Sequence, residues 1–360
     1  MRKFNMAIVG LGSMGNTHRT FIVGEGQWYD IPVGGPIENL NIAGSYDIRE
    51  ERQQFAREHG LRAYATFDEL LADPQIDFIT CATPNDVHKE VVIRALRAGK
   101  GAVSEKPATL SSGDLQEMID AAQETGKVFT VHQNRRWDDD YVTVKNLING
   151  GYLGKLLRIE SRVPGVGGGP GGWRSEAKRG GGYLFDWGVH ILDQALDMFP
   201  EKKVKTVYGR LTHYIHQEVD DGFHIELCFE DGLIYCLEGG NSNFISLPRW
   251  YVMGMEGTAV VDDFLLNGKM TRIAQRFRDN PVDHHIAGGT VRIAPRRGSA
   301  LVTEPLPVIK ADIRDFYRNV MDAVDGKAEI IVKPKQVMRV MKLMEAVKES
   351  DRTRNVVAFE

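Results

Sequence analysis

Phe4-Asn5-Met6-Ala7-Ile8-Val9 runs directly into Gly10-Leu11-Gly12-Ser13-Met14-Gly15, and Asn16 to Val23 follows as a helix-forming segment. A short apolar strand, glycines at G-x-G-x-x-G spacing and then a helix is the order that decides the fold. Gly10 permits a tight turn, Gly12 lets the backbone approach a pyrophosphate, and Gly15 allows the helix to pack closely on the strand. The helix N-terminus then faces the phosphates, with Ser13 and Met14 completing the loop.

Working outward, Leu40 to Tyr46 reads as a second strand that ends at Asp47-Ile48. An acidic residue at that position binds the ribose hydroxyls of NAD and repels the 2′-phosphate of NADP. Arg49, two residues on, leaves NADP possible. The longer spacing before this strand marks Gly24–Glu38 as an inserted loop, read as an oligomer contact or a neutral insertion at the edge away from the cofactor. Alternation then continues. Arg49 to His59 is helical and stops at Gly60, while Thr66 and Glu69 form a capping box for a helix over Phe67 to Ala72. Asp77 to Cys81 is a buried strand leading into Thr83-Pro84-Asn85, and a helix over Val87 to Ala98 carries His88. Ala102-Val103-Ser104 is a strand leading into Glu105-Lys106-Pro107, followed by a helix over Asp114 to Thr125 and a strand over Val128 to Val131. Repeated β-α units imply a doubly wound parallel sheet. Ligands bind beyond the carboxyl ends of such strands, where Thr83, Asn85, Lys106 and His132 fall.

After residue 132 the pattern changes. Asn134-Arg135-Arg136-Trp137 leads into a helix from Asp138 to Asn149, and strand-like runs follow over Leu156 to Val163, Val204 to His213, Gly222 to Phe229, Leu233 to Glu238 and Trp250 to Val261. Glu230-Asp231-Gly232 has the composition of a hairpin turn. The expected architecture is α/β: a Rossmann domain over 1–132, then an α+β domain over 133–360 with a large open, mostly antiparallel sheet. The open sheet implies a homodimer or homotetramer. Gly165 to Gly172 reads as a mobile flap or a connector, with Trp173 and Arg174 at its end placed to cover a polyol or sugar. Lys335 to Ser350 reads as a closing amphipathic helix.

Gly180-Gly181-Gly182 opens an apolar run carrying Asp186, His190 and Asp193. In a helix these stand at i, i+4 and i+7, on one face. A carboxylate and an imidazole one turn apart can relay a proton beneath a reacting group, or simply satisfy each other in a core.

The 360-residue chain is 42% hydrophobic and 26% charged, with net charge −4 and no long basic run, which excludes a nucleic-acid or anionic-membrane footprint. Three cysteines in apolar segments point to reduced thiols and a cytoplasmic protein. The N-terminus reads as a first strand rather than a signal peptide, and no stretch approaches bilayer-spanning length. His284-His285 has no partner at metal-ligand spacing, so no metal is expected.

The ordered set of the glycine loop, Thr83-Pro84-Asn85 with His88, Glu105-Lys106-Pro107 and Asp186-x-x-x-His190-x-x-Asp193 resembles the glucose–fructose oxidoreductase and inositol dehydrogenase family (Gfo/Idh/MocA) over nearly the whole chain. Asn134 to Asp138 with the glycines before Asp186 looks like the subgroup that includes some inositol dehydrogenases. The resemblance implies that Lys106, Asp186 and His190 are catalytic and that the Lys106–Pro107 bond is cis. It implies an NAD-dependent exchange of hydride with a secondary alcohol or ketone of a sugar, inositol or glycoside. Lys106, Asn134, Arg135, Trp173, Arg174, Asp186 and His190 would face substrate. Gly10, Gly12, Ser13, Met14, Gly15, Asp47, Ile48, Thr83, Pro84, Asn85, His88, Glu105 and Lys106 would face the dinucleotide. A variant retains NAD and recycles it between two sugars, and a non-catalytic NAD or sugar sensor is the alternative of another class.

Overall fold

The computed structural model describes residues 2–28, 31–169, 171–274 and 301–360, so the His284-His285 pair lies outside the described residues. The chain forms two compact units. One comprises residues 1–134, 170–193 and 312–345, and the other 135–169, 194–311 and 346–360.

The first unit holds strands Phe4–Val9 (β1), Gln27–Trp28 (β2), Ile31–Pro32 (β3), Leu40–Tyr46 (β4), Arg62–Ala63 (β5), Phe78–Cys81 (β6), Gly101–Ser104 (β7) and Phe129–Val131 (β8). Six of them make one parallel sheet in the order β5-β4-β1-β6-β7-β8. This is the doubly wound order, with its reversal between β1 and β6. β6, β7 and β8 are buried along their whole length, as expected for parallel strands covered on both faces. The 24–38 insertion contains the antiparallel pair β2–β3 and returns to the helix through a hydrogen bond from Ile37 N–H to Ile22 O. The Thr66 cap is present: its Oγ1 accepts the Glu69 N–H at 3.1 Å, while Glu69 Oε2 accepts from Ala65 N–H rather than from Thr66.

The second unit is built on a nine-stranded sheet of Leu156–Pro164 (β9), Val204–Thr212 (β10), Gly222–Phe229 (β11), Ile234–Gly240 (β12), Trp250–Gly254 (β13), Gly257–Val261 (β14), Gly268–Ile273 (β15), Leu301–Glu304 (β16) and Val357–Ala358 (β17). Its order is β16-β15-β14-β13-β9-β12-β11-β10-β17, and β9–β12 is its parallel pair among the described strands. The run from Trp250 to Val261, expected as one strand, is a hairpin: β13 and β14 pair antiparallel around Met255-Glu256. Alternation along β9 buries Ile159, Ser161 and Val163. The intervening Arg158, Glu160 and Arg162 form a ladder in which Arg162 pairs with Glu160 and, at 2.7 Å, with Glu238. Beneath the sheet Arg249 is buried against Asp140 at 3.0 Å, and Trp250 Nε1–H donates to the same carboxylate at 2.7 Å. The Trp250 hydrogen bond and the Arg249 charge together offset part of the cost of burying Asp140. Among the described residues no helix is long and apolar enough to cross a membrane.

Candidate functional site

At the carboxyl edge of the first unit's sheet lies a cleft of about 750 Å³. The glycine loop forms one wall, and its three glycines are held by different constraints. Gly10 has φ +89°, and a Cβ there would lie 2.7 Å from Ala82 O; a Cβ on Gly15 would lie 2.1 Å from Gly10 O. Gly12 is different, because the nearest atom a Cβ would meet is Arg49 Nη2 at 3.5 Å. The fold does not need Gly12, whereas a ligand resting on the backbone would. The helix Ser13–Val23 begins here with no side-chain cap and no acidic residue in its first turn, so its N-terminal N–H groups remain available to an anion. These features fit a dinucleotide pyrophosphate.

Asp47 is almost buried. Its Oδ2 accepts the Leu11 N–H at 2.8 Å and its Oδ1 the Arg49 N–H at 2.9 Å, tying the end of β4 to the glycine loop. Ile48 beside it is 86% exposed. Arg49, Arg52 and Arg94 line the same end of the cleft. Arg49 was legible as a neighbour of Asp47, but Arg52 and Arg94 were missed. Arg52 stands one turn on in the helix Glu50–Glu58, and Arg94 lies over the Phe67 ring at 4.8 Å.

Beyond β6, Thr83, Pro84 and Asn85 line the cleft. Asn85 Nδ2–H donates to Gly180 O at 3.1 Å, joining this loop to the turn before Asp186. A Cβ on Gly181 would lie 2.3 Å from Arg174 O, so this turn requires glycine for close approach. The segment Leu184–Gly188 is a π-helix, and the regular helix Val189–Met198 follows. The even 3.6-residue face expected across Asp186, His190 and Asp193 is therefore widened at its start, a distortion frequent at functional sites. Asp186 opens to the cleft, while His190 and Asp193 are buried. His190 packs edge-on to Trp187, with 5.9 Å between ring centroids.

Lys106, after β7, reaches Asp186 from the other side. Its Nζ–H groups donate to Asp186 O at 2.7 Å and Oδ1 at 3.0 Å, and Arg174 Nε–H donates to Oδ1 at 3.3 Å. Burial works to raise the Asp186 pKa, but Lys106 and Arg174 outweigh it and hold the group below the usual carboxylate range. The Lys106–Pro107 peptide is cis. Arg174 also lies over the Trp173 ring at 4.5 Å.

Of the residues expected to face the dinucleotide, all but Gly15 and His88 line this cleft; of those expected to face substrate, Lys106, Trp173, Arg174 and Asp186 do. Asn134, Arg135 and His190 do not line it. Arg135 belongs to the second unit, where its Nη1–H donates to Asp138 at 2.8 Å. Glu105 reaches the cleft wall but turns its carboxylate inward to His132, expected from sequence among the strand ends where ligands bind, and to His18, which sequence reasoning did not place in the site. His132 carried a signal as the end of a strand; a lone histidine inside the first helix carried none.

The family model described as the oxidoreductase family with an NAD-binding Rossmann fold (GFO_IDH_MocA) matches residues 4–133, and that of the GFO/IDH/MocA C-terminal domain matches residues 141–260. The chain is 27% identical over 297 residues to scyllo-inositol 2-dehydrogenase (NADP(+)) IolW of Bacillus subtilis, covering 81% of this chain and 82% of that protein. It is 30% identical to the uncharacterized oxidoreductase YdgJ of Escherichia coli, covering 96% of each. A solved structure of an NAD-binding protein from Listeria innocua superimposes with a TM-score of 0.90 at 38% identity, covering 99% of this chain and 100% of that one.

Proposed function

The chain belongs to the Gfo/Idh/MocA oxidoreductase family, and from that premise we propose that it interconverts a secondary alcohol and a ketone on an inositol, sugar or glycoside. The observation that carries this reading is the Lys106–Asp186 pair, set at the carboxyl end of a parallel strand and facing the cleft that fits the dinucleotide. A lysine there donates to the reacting oxygen and stabilises negative charge as it develops. Asp186, held ionised, fixes the direction of that ammonium through its carbonyl and its carboxylate. His190, one turn further but buried off the cleft wall, would take the hydroxyl proton on oxidation and return it on reduction only by way of a group that lines the cleft. Trp173 offers a flat apolar face and Arg174 a fork of donors, matching the two faces of a ring bearing hydroxyls. Bound NAD supplies the hydride acceptor.

The inositol dehydrogenase named among the relatives makes inositols the first class to try. We also assign a homodimeric or homotetrameric state to the chain, which light scattering on the purified protein tests. The decisive measurement for the activity is a panel of inositols, aldoses and glycosides followed at the NADH absorbance band, with NAD and NADP in parallel. Turnover without added dinucleotide, by protein carrying stoichiometric NADH, would identify the form that recycles its cofactor. An inert panel with dinucleotide bound would sink the proposal.

A further inference from the structure

We propose that Glu105 is a positioning residue for Lys106, held from beneath by His18, His132 and Tyr317, and that it acts on the reaction through the Lys106–Pro107 turn rather than by touching the dinucleotide. The inference rests on the reading of Lys106 given above.

The geometry is a closed account of one buried carboxylate. Glu105 is 5% exposed, and its Oε2 accepts the Lys106 N–H at 3.1 Å. Its Oε1 accepts from His18 Nε2–H at 2.9 Å and from His132 Nδ1–H at 2.7 Å. Both imidazoles are fully buried, so each tautomer is set by the proton it gives to Glu105. The remaining nitrogen of His18, Nδ1, accepts the Tyr317 O–H. That of His132, Nε2, has no hydrogen-bond partner among the described residues, which fits a ring whose one N–H is spent on Glu105. Burial works to raise the Glu105 pKa, and the two histidines hold it well below the carboxylate range. Burying a charge costs several kcal/mol unless donors surround it. Here three donors do, and the third is the backbone of the residue that reaches Asp186.

A metal ion is the other way to read two histidines and a glutamate whose ligand atoms lie within 4.8 Å of one another. The separations argue against it. Ligand atoms around tetrahedral zinc sit about 3.4 Å apart, whereas the two imidazole nitrogens approach Oε1 at 2.9 and 2.7 Å, which are N–H···O distances.

The turn is held at its other end too. His88, fully buried, lies with Nδ1 3.0 Å from Pro107 O and Nε2 2.9 Å from Thr83 O; it packs between the lysine turn and the loop after β6, and as a neutral ring gives its single N–H to one of the two carbonyls. The Lys106 N–H is held by Glu105, the Pro107 carbonyl lies against His88, and Asp186 holds the lysine ammonium. Glu105 and His88, expected from sequence to face the dinucleotide, are in this account the two fasteners of the lysine's backbone.

The test uses the full chain as Glu105→Ala, Glu105→Gln and Tyr317→Phe, with Lys106→Ala as reference. A misplacement of about 1 Å in a catalytic group costs on the order of 100-fold in rate. Glu105→Ala is therefore expected to lose about 100-fold in kcat, with the NADH dissociation constant from fluorescence titration changed less than about threefold. Glu105→Gln keeps an oxygen for the Lys106 N–H and is expected to recover about tenfold of that loss. Tyr317→Phe, which removes one hydroxyl and serves should Glu105→Ala not fold, is expected to lower kcat severalfold at unchanged NADH affinity. Crystal structures of the variants give a readout that needs no substrate: Lys106 Nζ should leave Asp186 in Glu105→Ala and remain on it in Glu105→Gln. A lysine still seated on Asp186 in Glu105→Ala overturns the inference, as does NADH binding weakened tenfold or more with kcat retained. If Lys106→Ala itself turns over normally, the proposed catalytic role fails, and the crystallographic comparison still decides what Glu105 does.

Discussion

Lys106 Nζ stands 2.7 Å from the carbonyl oxygen and 3.0 Å from Oδ1 of Asp186, a residue 80 positions later in the chain. Two acceptors on one residue fix the ammonium in direction as well as distance. Removing the lysine therefore separates chemistry from cofactor binding. Lys106→Ala is expected to lower kcat by about 10²–10³, the loss typical of a donor to a developing oxyanion, while NADH titration gives an affinity near that of the wild type.

Asp186→Asn should be milder. The backbone carbonyl still receives Lys106, but the carboxylate that draws both Lys106 and Arg174 is neutral. The expected loss is about 10–100-fold in kcat/KM, measured on whichever substrate the panel identifies. A rate equal to wild type would leave Asp186 without a catalytic part.

Cofactor preference tests the other end of the cleft. Asp47 is expected to disfavour a 2′-phosphate and Arg49 and Arg52, which line the same cleft, to favour one. Asp47→Ser is expected to raise the ratio of kcat/KM with NADP to that with NAD by about tenfold or more, since two unit charges about 4 Å apart repel by about 1–4 kcal/mol between water and a protein surface. Adding Arg49→Ala should cancel most of the gain.

Acid should destabilise the protein earlier than its carboxylates alone would. Burial lowers the pKa of His18, assisted by neighbouring His132 and opposed by Glu105; it lowers that of His88 despite the two carbonyls that favour a charged ring. A histidine depressed in the folded state stays neutral while the unfolded chain takes up its proton, so stability present above pH about 6.5 is lost below it, by about 1.4 kcal/mol per pH unit for each ring. Calorimetry from pH 7 to 5 should show a falling Tm, and a shallower fall in His18→Gln. A flat profile would mean that neither ring is buried neutral.

Much of this site was legible because its parts are backbone devices with strict sequence requirements. The glycine loop, Asp47 and Lys106 each stand at the end of a strand whose apolar run could be read, and a parallel sheet brings strand ends together. Asp186 was legible by resemblance, but the π-turn around it was not, because nothing in Leu184-Phe185-Asp186-Trp187-Gly188 distinguishes that turn from a regular one. The hairpin at Met255-Glu256 did carry a signal that the reading passed over, two glycines around a charged residue in Gly254-Met255-Glu256-Gly257. The support under Glu105 was invisible for another reason: His18 and Tyr317 are 299 residues apart, and each alone is an ordinary polar residue in an amphipathic helix.

Gly12 ends as the most informative of the three glycines. A methyl group there meets nothing closer than 3.5 Å, whereas Gly10 and Gly15 would each drive one into backbone. Folding thus keeps Gly10 and Gly15, and only an occupant of the cleft keeps Gly12. In a descendant of this chain that had abandoned redox work, drift would erase position 12 first while its two companions persisted, so this single site records whether a lineage still uses its nucleotide.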